Sequence, residues 1–561
     1  MEHLTLIILM LAVLVALSAA APKLKVPYPV LLVVAGGLLA LVPGLPQFKL
    51  EPDLIFLIFL PPLLYTESYQ MSWHEFRANL RPISLLAVGL VLITTLGVAA
   101  LAHYAIPRFG WALGFVLGAI VSPPDALAAT AATKGLGLPR RVLIILDGEG
   151  LVNDASALIA YRYAVAAVVT GAFGLWDASW HFALVAGGGA ALGAAVGYAA
   201  VRLQNWLRDA TLITALTVLL PFGVYLAAEH LGVSGVLAVV TMGLMLSRRS
   251  HDIYDNQTRL LKHSFWNVVS FLLNGLVFII IGLELREVLA GLGPGAFWPL
   301  LGYGLLVSAA AIIIRISWVF PSAYLSRLLA RRLGRPGADA PVEWRPLLVT
   351  SWAGVRGVIS LATALALPLV VRGGAPFPQR NVILFITFTV IFVTLILQGL
   401  TLPWLVRRLG VQDDPNARAA EEQELRLALA NDALAYLETR LAAAPAGHPD
   451  PSLLTLREVV RRQARRLHGT FAANEATHLT PPDPAETQAA ERFEQLLRCR
   501  LDLTEHQRRL LVHLHRQAAY SEEAIRQVEL ELDRFEIALD TQLATVRQPE
   551  EQEAEEPVGE A

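Results

Sequence analysis

Two aspartates sit inside apolar stretches of this chain. Asp125 lies in Ser122-Pro123-Pro124-Asp125-Ala126, and Asp154 lies in Glu149-Gly150-Leu151-Val152-Asn153-Asp154-Ala155. An ionisable side chain at bilayer depth costs from about 3 to over 10 kcal/mol, depending on the reference state. A chain that keeps one faces it to a water-filled path, and such acids mark ion routes and proton relays. In the second stretch Glu149 and Asn153 are four apart and share a helix face, with Asp154 one step round. An acid, an amide and a second acid are thus presented together. Asp147 and Glu149 suit a helix start near the cytoplasmic surface, but about two turns of helix carry Asp154 well below the headgroups. Asp125 follows two prolines, so it can cap the second half of a broken helix while the same break forms an ion site.

Two arginines belong with these acids. Arg315 is deep in Ala309-Ala310-Ala311-Ile312-Ile313-Ile314-Arg315-Ile316. A guanidinium cannot shed its proton to escape burial, so it needs a carboxylate. Glu149 is the expected partner, in a bidentate pair. Arg356 sits between Gly354 and Gly357, which permit a second unwound helix. The plainer alternatives are snorkelling to the inner surface for Arg315 and an ordinary cytoplasmic helix end for Arg356.

The elements that must hold these residues are membrane helices. The chain has 561 residues, 55% of them hydrophobic and 16% charged. Soluble domains have roughly 45–50% and 25%. Apolar runs of about 20 residues recur as far as about residue 406, the mark of an all-α polytopic membrane protein. We read about 13 spans. They are near 4–21, 28–43, 53–70, 82–103, 111–133, 142–170, 181–202, 210–228, 233–247, 265–284, 299–320, 346–370 and 380–406. Pro61-Pro62 predicts a kink in the third, and Pro123-Pro124 a break in the fifth, whose freed carbonyls must line a cavity or meet protein. The first run is followed by Ala19-Ala20-Ala21 and could pass for a signal peptide. Its start, Met1-Glu2-His3, has no Lys or Arg, so a retained helix is expected, with its C-terminal end in the cytoplasm. With the N-terminus outside, about 20 Lys and Arg fall in cytoplasmic loops and about five in outer ones. That bias supports an odd number of spans with the tail in the cytoplasm of a cell that keeps the protein in its plasma or inner membrane. Gly189, Gly193 and Gly197 form a close-packing stripe, expected to serve helices of one protomer rather than a dimer.

After residue 410 the composition changes. Residues 411–547 are rich in Ala, Leu, Glu, Arg and Gln, with Leu425, Leu429, Leu434 and Leu437 at helical spacing. A cytoplasmic helical domain of regulatory or assembly role is expected, followed by a disordered acidic end at 548–561. The tail's charges are interleaved, which argues against nucleic-acid binding. One cysteine, Cys499, excludes a disulfide framework or thiolate cluster within the chain. No cofactor motif is present, and His506, His513 and His515 read as surface residues rather than metal ligands.

Together these residues resemble the monovalent cation:proton antiporters of the sodium/proton exchanger type, in the bacterial form with a long cytoplasmic tail. The resemblance covers about residues 4–410 and is densest from Val121 to Ala157. Pro124-Asp125 sits where the family breaks its fifth helix, and Glu149 with Asn153-Asp154 is similar to the family's Asn-Asp pair following a glutamate. Leu60-Pro61-Pro62-Leu63-Leu64-Tyr65 is similar to the third-helix motif, Arg315 to the arginine that pairs with the glutamate, and Gly354-Val355-Arg356-Gly357 to the twelfth-helix signature. The resemblance implies a transporter rather than an enzyme. It implies two inverted repeats, a core and a dimerisation subdomain within 1–410, a homodimer, and helices five and twelve crossing at unwound centres. Asp154 would bind the cation, with Asn153 and Asp125 at the site, Glu149 and Arg315 as a structural ion pair, and Pro124 and Arg356 supporting the unwound segments. There are departures. Position 150 is glycine where some members carry a serine ligand, and Pro124 stands where threonine or alanine is common. Where some members carry an acid on the third helix, Thr66 stands here with Glu67 one step off; both are possible site residues.

The expected mechanism is competition between a dehydrated Na⁺ and a proton for Asp154. Both loaded states neutralise the carboxylate and can cross; the bare anion cannot. Asn153 is neutral where electrogenic relatives in the broader superfamily carry a second aspartate, so the resemblance implies one-for-one, electroneutral exchange. K⁺ or Li⁺ could take the place of Na⁺, and a K⁺/H⁺ antiporter is the alternative. A cation channel lined by the acid–amide face, and a membrane-anchored sensor with the tail as effector, are the rival classes.

Overall fold

In lipid every backbone N–H and C=O must find its partner inside the protein, so apolar segments of this chain become helices. A computed structural model of the chain describes residues 2–42, 52–133, 136–171, 175–207, 209–293, 295–332, 343–371, 374–413, 415–442, 451–468, 487–517 and 519–554. It has two units, one of residues 1–253 and 264–413, the other of residues 254–263 and 414–561.

The first unit opens with α1 (Glu2–Leu24), α2 (Tyr28–Ala40) and α3 (Pro52–Gln70). Pro61 and Pro62, expected to kink α3, lie within an unbroken helical run. A short α4 (Trp73–Ala78) precedes α5 (Leu80–Ser84), which passes through a π-helical turn (Leu85–Leu90) into α6 (Val91–Ala105). A π-turn misaligns the carbonyl ladder. Here the indole of Trp318 donates to Leu85 O at 3.0 Å. Next come α7 (Trp111–Val121) and α8 (Ala126–Thr133), two halves of one span separated by Ser122–Asp125. They are followed by α9 (Arg140–Thr170), α10 (Leu175–Trp206), α11 (Ala210–His230) and α12 (Gly235–Ile253).

Helix α13 (Asn256–Leu283) is followed by a short α14 (Leu285–Ala290) and the long α15 (Phe297–Arg332). A second span is also split, into α16 (Trp344–Trp352) and α17 (Val358–Leu365), with residues 353–357 unwound between them. The unit ends with α18 (Arg380–Leu409). Among the described residues, eight helical stretches are long and apolar enough to cross a membrane. The protein is thus all-helical and multi-span. The glycine stripe of α10 packs against α12: a Cβ on Gly193 would lie 2.2 Å from Ala238 O, and one on Gly189 2.5 Å from Ser234 O. Only glycine permits that approach.

The second unit is helical: α19 (Pro415–Ala442), α20 (Pro451–His468), α21 (Thr487–Gln517) and α22 (Glu522–Ala554). Helix α22 runs past residue 548, where the disordered acidic end was expected to begin, and stops at Ala554; 555–561 lie outside the described residues. Leu425 and Leu429 share one apolar cluster with Leu511, Ile525 and Val528, and Leu437 shares another with Leu456, Val460 and Leu503. His506 pairs with Asp432 at 2.7 Å and His515 with Glu522 at 2.9 Å, while His513 contacts Gln517. Among the described residues no cluster of His, Cys, Asp and Glu is arranged to hold a metal ion.

The unit's polar centre is Asp533, which is fully buried. Its carboxylate meets Arg259 at 2.6 Å and Arg508 at 2.8 Å; Arg259 also reaches Glu529 at 3.4 Å, and Arg508 reaches Glu536. Asp533→Ala should therefore remove the carboxylate that two guanidinium groups share, leave Arg259 with Glu529 and Arg508 with Glu536, and cost about 1–3 kcal/mol of local stability. Hydrogen–deuterium exchange on the full-length protein should show faster exchange through α21 and α22. Unchanged protection there would show that the carboxylate holds nothing together.

Candidate functional site

The two interrupted spans meet at their breaks. Proline removes the backbone donors at 123 and 124 and pushes the preceding residue out of the helical region, so α7 must stop. Asp125 restarts the helix: its Oδ1 accepts the Ala128 N–H at 3.1 Å, an N-cap for α8. Its own N–H donates to Val355 O at 2.6 Å, across to the other break. Gly357 stands directly against the Asp125 carboxylate, where any Cβ would overlap Oδ2. Gly354 likewise stands against the Arg315 side chain, at 2.3 Å from Cδ for a would-be Cβ. Glycine at both places is what lets the acid and the arginine approach the unwound backbone.

Arg356 meets two of the carbonyls that the breaks leave open. Its Nε donates to Val121 O at 2.6 Å and its Nη1 to Gly354 O at 2.5 Å, while its backbone N–H donates to Thr394 Oγ1 at 3.0 Å. Val121 and Gly354 end, or follow the end of, half-helices whose last carbonyls carry partial negative charge. The buried guanidinium offsets both. Arg356 is thus not at the ordinary helix end that was its plainer alternative. Arg315 is equally buried and forms a bidentate pair with Glu149, at 2.5 and 2.9 Å, with a further bond to Thr350 O at 3.1 Å. The pair ties α9 to α15 and to the end of α16.

A cavity lies beside the breaks, with about 50 Å³ of room for water-sized occupants. That is enough for a few waters or a cation with part of its shell. Its polar lining is Glu67 from α3, Asp125, Asp154 from α9 and Ser360 from α17; Phe56, Phe59, Leu60 and Leu63 make up much of the rest. Pro124 also lines it.

The structure separates residues that sequence spacing left together. Glu67 lines the cavity and Thr66 does not; the Thr66 hydroxyl is spent on Pro62 O at 2.8 Å. Asn153 is fully buried but is not among the lining residues, and its amide has no hydrogen-bond partner among the described residues. One step along a helix turns a side chain by about 100°, so Asp154 faces the cavity and Asn153 faces protein. Ser360 was missed by sequence reasoning. The signal that could have found it is its place three residues after Gly357, in the first turn after a break.

The sodium/hydrogen exchanger transmembrane family model matches residues 9–408. The chain belongs to the sodium/hydrogen exchanger family. The exchanger is 33% identical over 554 residues to an uncharacterised Na⁺/H⁺ exchanger of Mycobacterium tuberculosis, covering 96% of each chain. A sodium, potassium, lithium and rubidium/H⁺ antiporter of Bacillus pumilus is 34% identical over 420 residues, which are 72% of the exchanger and 62% of that protein. The solved structure of the sodium proton antiporter MjNhaP1 from Methanocaldococcus jannaschii matches with a TM-score of 0.58 at 18% identity. It covers 74% of the exchanger and all of that chain, which shows a shared fold. The exchanger is a multi-pass membrane protein that moves monovalent cations against protons. It is a transporter and not an enzyme.

Proposed function

We propose that the protein exchanges Na⁺ for H⁺ one for one, without net charge movement, by letting the two compete for Asp154. The observation that carries this reading is the cavity beside the meeting breaks, where Asp154 stands with Asp125 and Glu67. Asp154 has no ion-pair partner among the described residues, unlike Glu149, whose charge is committed to Arg315. A carboxylate without a fixed counter-charge is free to take a cation or a proton. Asp125 is held by the N-cap bond and Glu67 supplies a third acid. One-for-one exchange requires each of them to keep one protonation state through the cycle, so that only Asp154 changes hands and the charge carried is the same in both directions. Asn153 adds packing and no charge.

The proposal extends to architecture. About 13 helices form two inverted repeats with core and dimerisation subdomains. The protein works as a homodimer in the plasma or inner membrane, and its tail lies in the cytoplasm with a regulatory role. The family's fold and the distribution of Lys and Arg in the loops support these readings.

K⁺/H⁺ exchange is the second reading, and the broad ion range in the name of the Bacillus pumilus relative favours keeping it. Purified protein in liposomes separates the two. Proton release driven by Na⁺ and Li⁺ should saturate at lower concentration than release driven by K⁺; the reverse order would assign K⁺ as the substrate. Rates measured with and without an imposed membrane potential should agree. A rate that follows the voltage would remove the one-for-one stoichiometry.

A further inference from the structure

We infer that Ser360 is a ligand of the transported cation, supplying a neutral hydroxyl oxygen from α17 to the cavity that Asp154 also lines, and that it helps set the choice among monovalent cations. The inference rests on the reading of Asp154 as the cation seat.

Ser360 is buried, and its hydroxyl has no hydrogen-bond partner among the described residues. Ser18, Thr94, Thr95, Ser270 and Thr387 also have buried hydroxyls without a partner among the described residues, but none of them lines the cavity. Serine and threonine in helices ordinarily bond a carbonyl three or four residues back. Thr363 does so to Ile359 at 2.6 Å, Thr394 to Val390 at 2.8 Å, and Ser122 to Ala119 at 3.0 Å. Ser360 makes no such bond, and the residues behind it belong to the break. Four back is Arg356, inside the break, and three back is Gly357, whose carbonyl accepts the Leu361 N–H at 3.3 Å. A hydroxyl placed one turn after a break is left looking for a partner. It lines the same cavity as three carboxylates.

The contribution of α9 to the cavity explains the need. Helix α9 offers Asp154 to the cavity and, one turn earlier, Gly150. A Cβ at position 150 would lie 2.6 Å from the Ala126 Cβ, so no hydroxyl-bearing side chain fits there without displacing α8. A hard monovalent cation stripped of water takes oxygen ligands. With α9 sterically closed at that turn, the neutral oxygen comes from α17. A hydroxyl adds coordination without adding charge, which preserves the balance that one-for-one exchange requires. Li⁺ and Na⁺ hold their water more tightly than K⁺ and lean more on each replacement ligand.

Ser360→Ala should raise the half-saturating Na⁺ concentration roughly three- to tenfold in proteoliposomes. The increase for Li⁺ should be of similar size, and that for K⁺ smaller. Ser360→Thr, which keeps the hydroxyl, should restore most of the Na⁺ affinity. A purely structural role would lower yield or maximal rate and leave the Na⁺-to-K⁺ ratio alone. A second readout is the rise in melting temperature on adding NaCl over choline chloride to the detergent-solubilised full chain. Ser360→Ala should move that response to higher NaCl, and Asp154→Asn should remove it. If Asp154→Asn removes the response while Ser360→Ala leaves both half-saturation and selectivity as in the parent, the hydroxyl is not a ligand and this inference fails alone. If Asp154→Asn retains the response, the seat itself is misplaced and both readings fall.

Discussion

Asp154→Asn should reduce cation-driven proton movement in reconstituted vesicles by about a hundredfold or more, while the folded protein survives. The substitution keeps shape and removes the charge. A cation entering the cavity then loses its exchangeable counter-charge in a largely apolar enclosure, and a buried charge left without its partner costs several kcal/mol. Each 1.4 kcal/mol is about a factor of ten in rate. The amide also cannot carry the proton back, so both halves of the cycle stop. Stability should move the other way. Asp154 is buried and no described group pairs with it, so its charge is a desolvation cost that the amide removes. The melting temperature in detergent should hold or rise. A variant that still moves protons in response to Na⁺ at a tenth of the parental rate or more would end the competition mechanism.

Much of the framework could be read from the chain because its causes are local. Pro123-Pro124 and Gly354 with Gly357 interrupt helices by their own chemistry, and the breaks lie at those residues. A guanidinium in the middle of Ile312-Ile313-Ile314-Arg315-Ile316 demands a carboxylate, and Glu149 is the acid the structure places against it. What stayed hidden depends on helix rotation and on contacts distant in sequence. Thr66 and Glu67 differ by one step, and only the packing of α3 decides which faces the cavity. The same holds for Asn153 and Asp154. The acceptors of Arg356 are carbonyls at Val121 and Gly354, and nothing in the sequence marks a backbone oxygen 235 residues away as a partner. Ser360 looked like a helix residue because the break before it had to be placed to the residue before its hydroxyl could be seen as unpartnered.

The Glu149–Arg315 pair predicts a result opposite in kind to that for Asp154. Glu149→Gln leaves a guanidinium buried at 1% exposure with two neutral acceptors, the new amide oxygen and Thr350 O, with an amide NH2 facing it in place of the second carboxylate oxygen, and with no counter-charge. Breaking a buried pair from one side costs about 3–5 kcal/mol, a large fraction of the stability of most folds. The single variant should melt well below the parent and give little folded protein. Arg315→Lys keeps a charge pair and should cost less, but still destabilise, because a point charge cannot bond both carboxylate oxygens and the Thr350 carbonyl in the same plane. Replacing both residues with methionine removes the stranded charge from each side, and such exchanges are often neutral or better for stability. The double variant should therefore melt nearer the parent than either single one. Transport should not return with it. The pair holds α9, which carries Asp154, against the end of α16, where the second break begins. Methionine packing does not fix that register, and a cation seat needs its oxygens placed to within a fraction of an ångström. Melting curves of the three variants beside the Asp154→Asn protein would separate a charge that holds the helices together from one that carries the ion. Equal melting of Glu149→Gln and the parent would show that the pair is not what fixes α9.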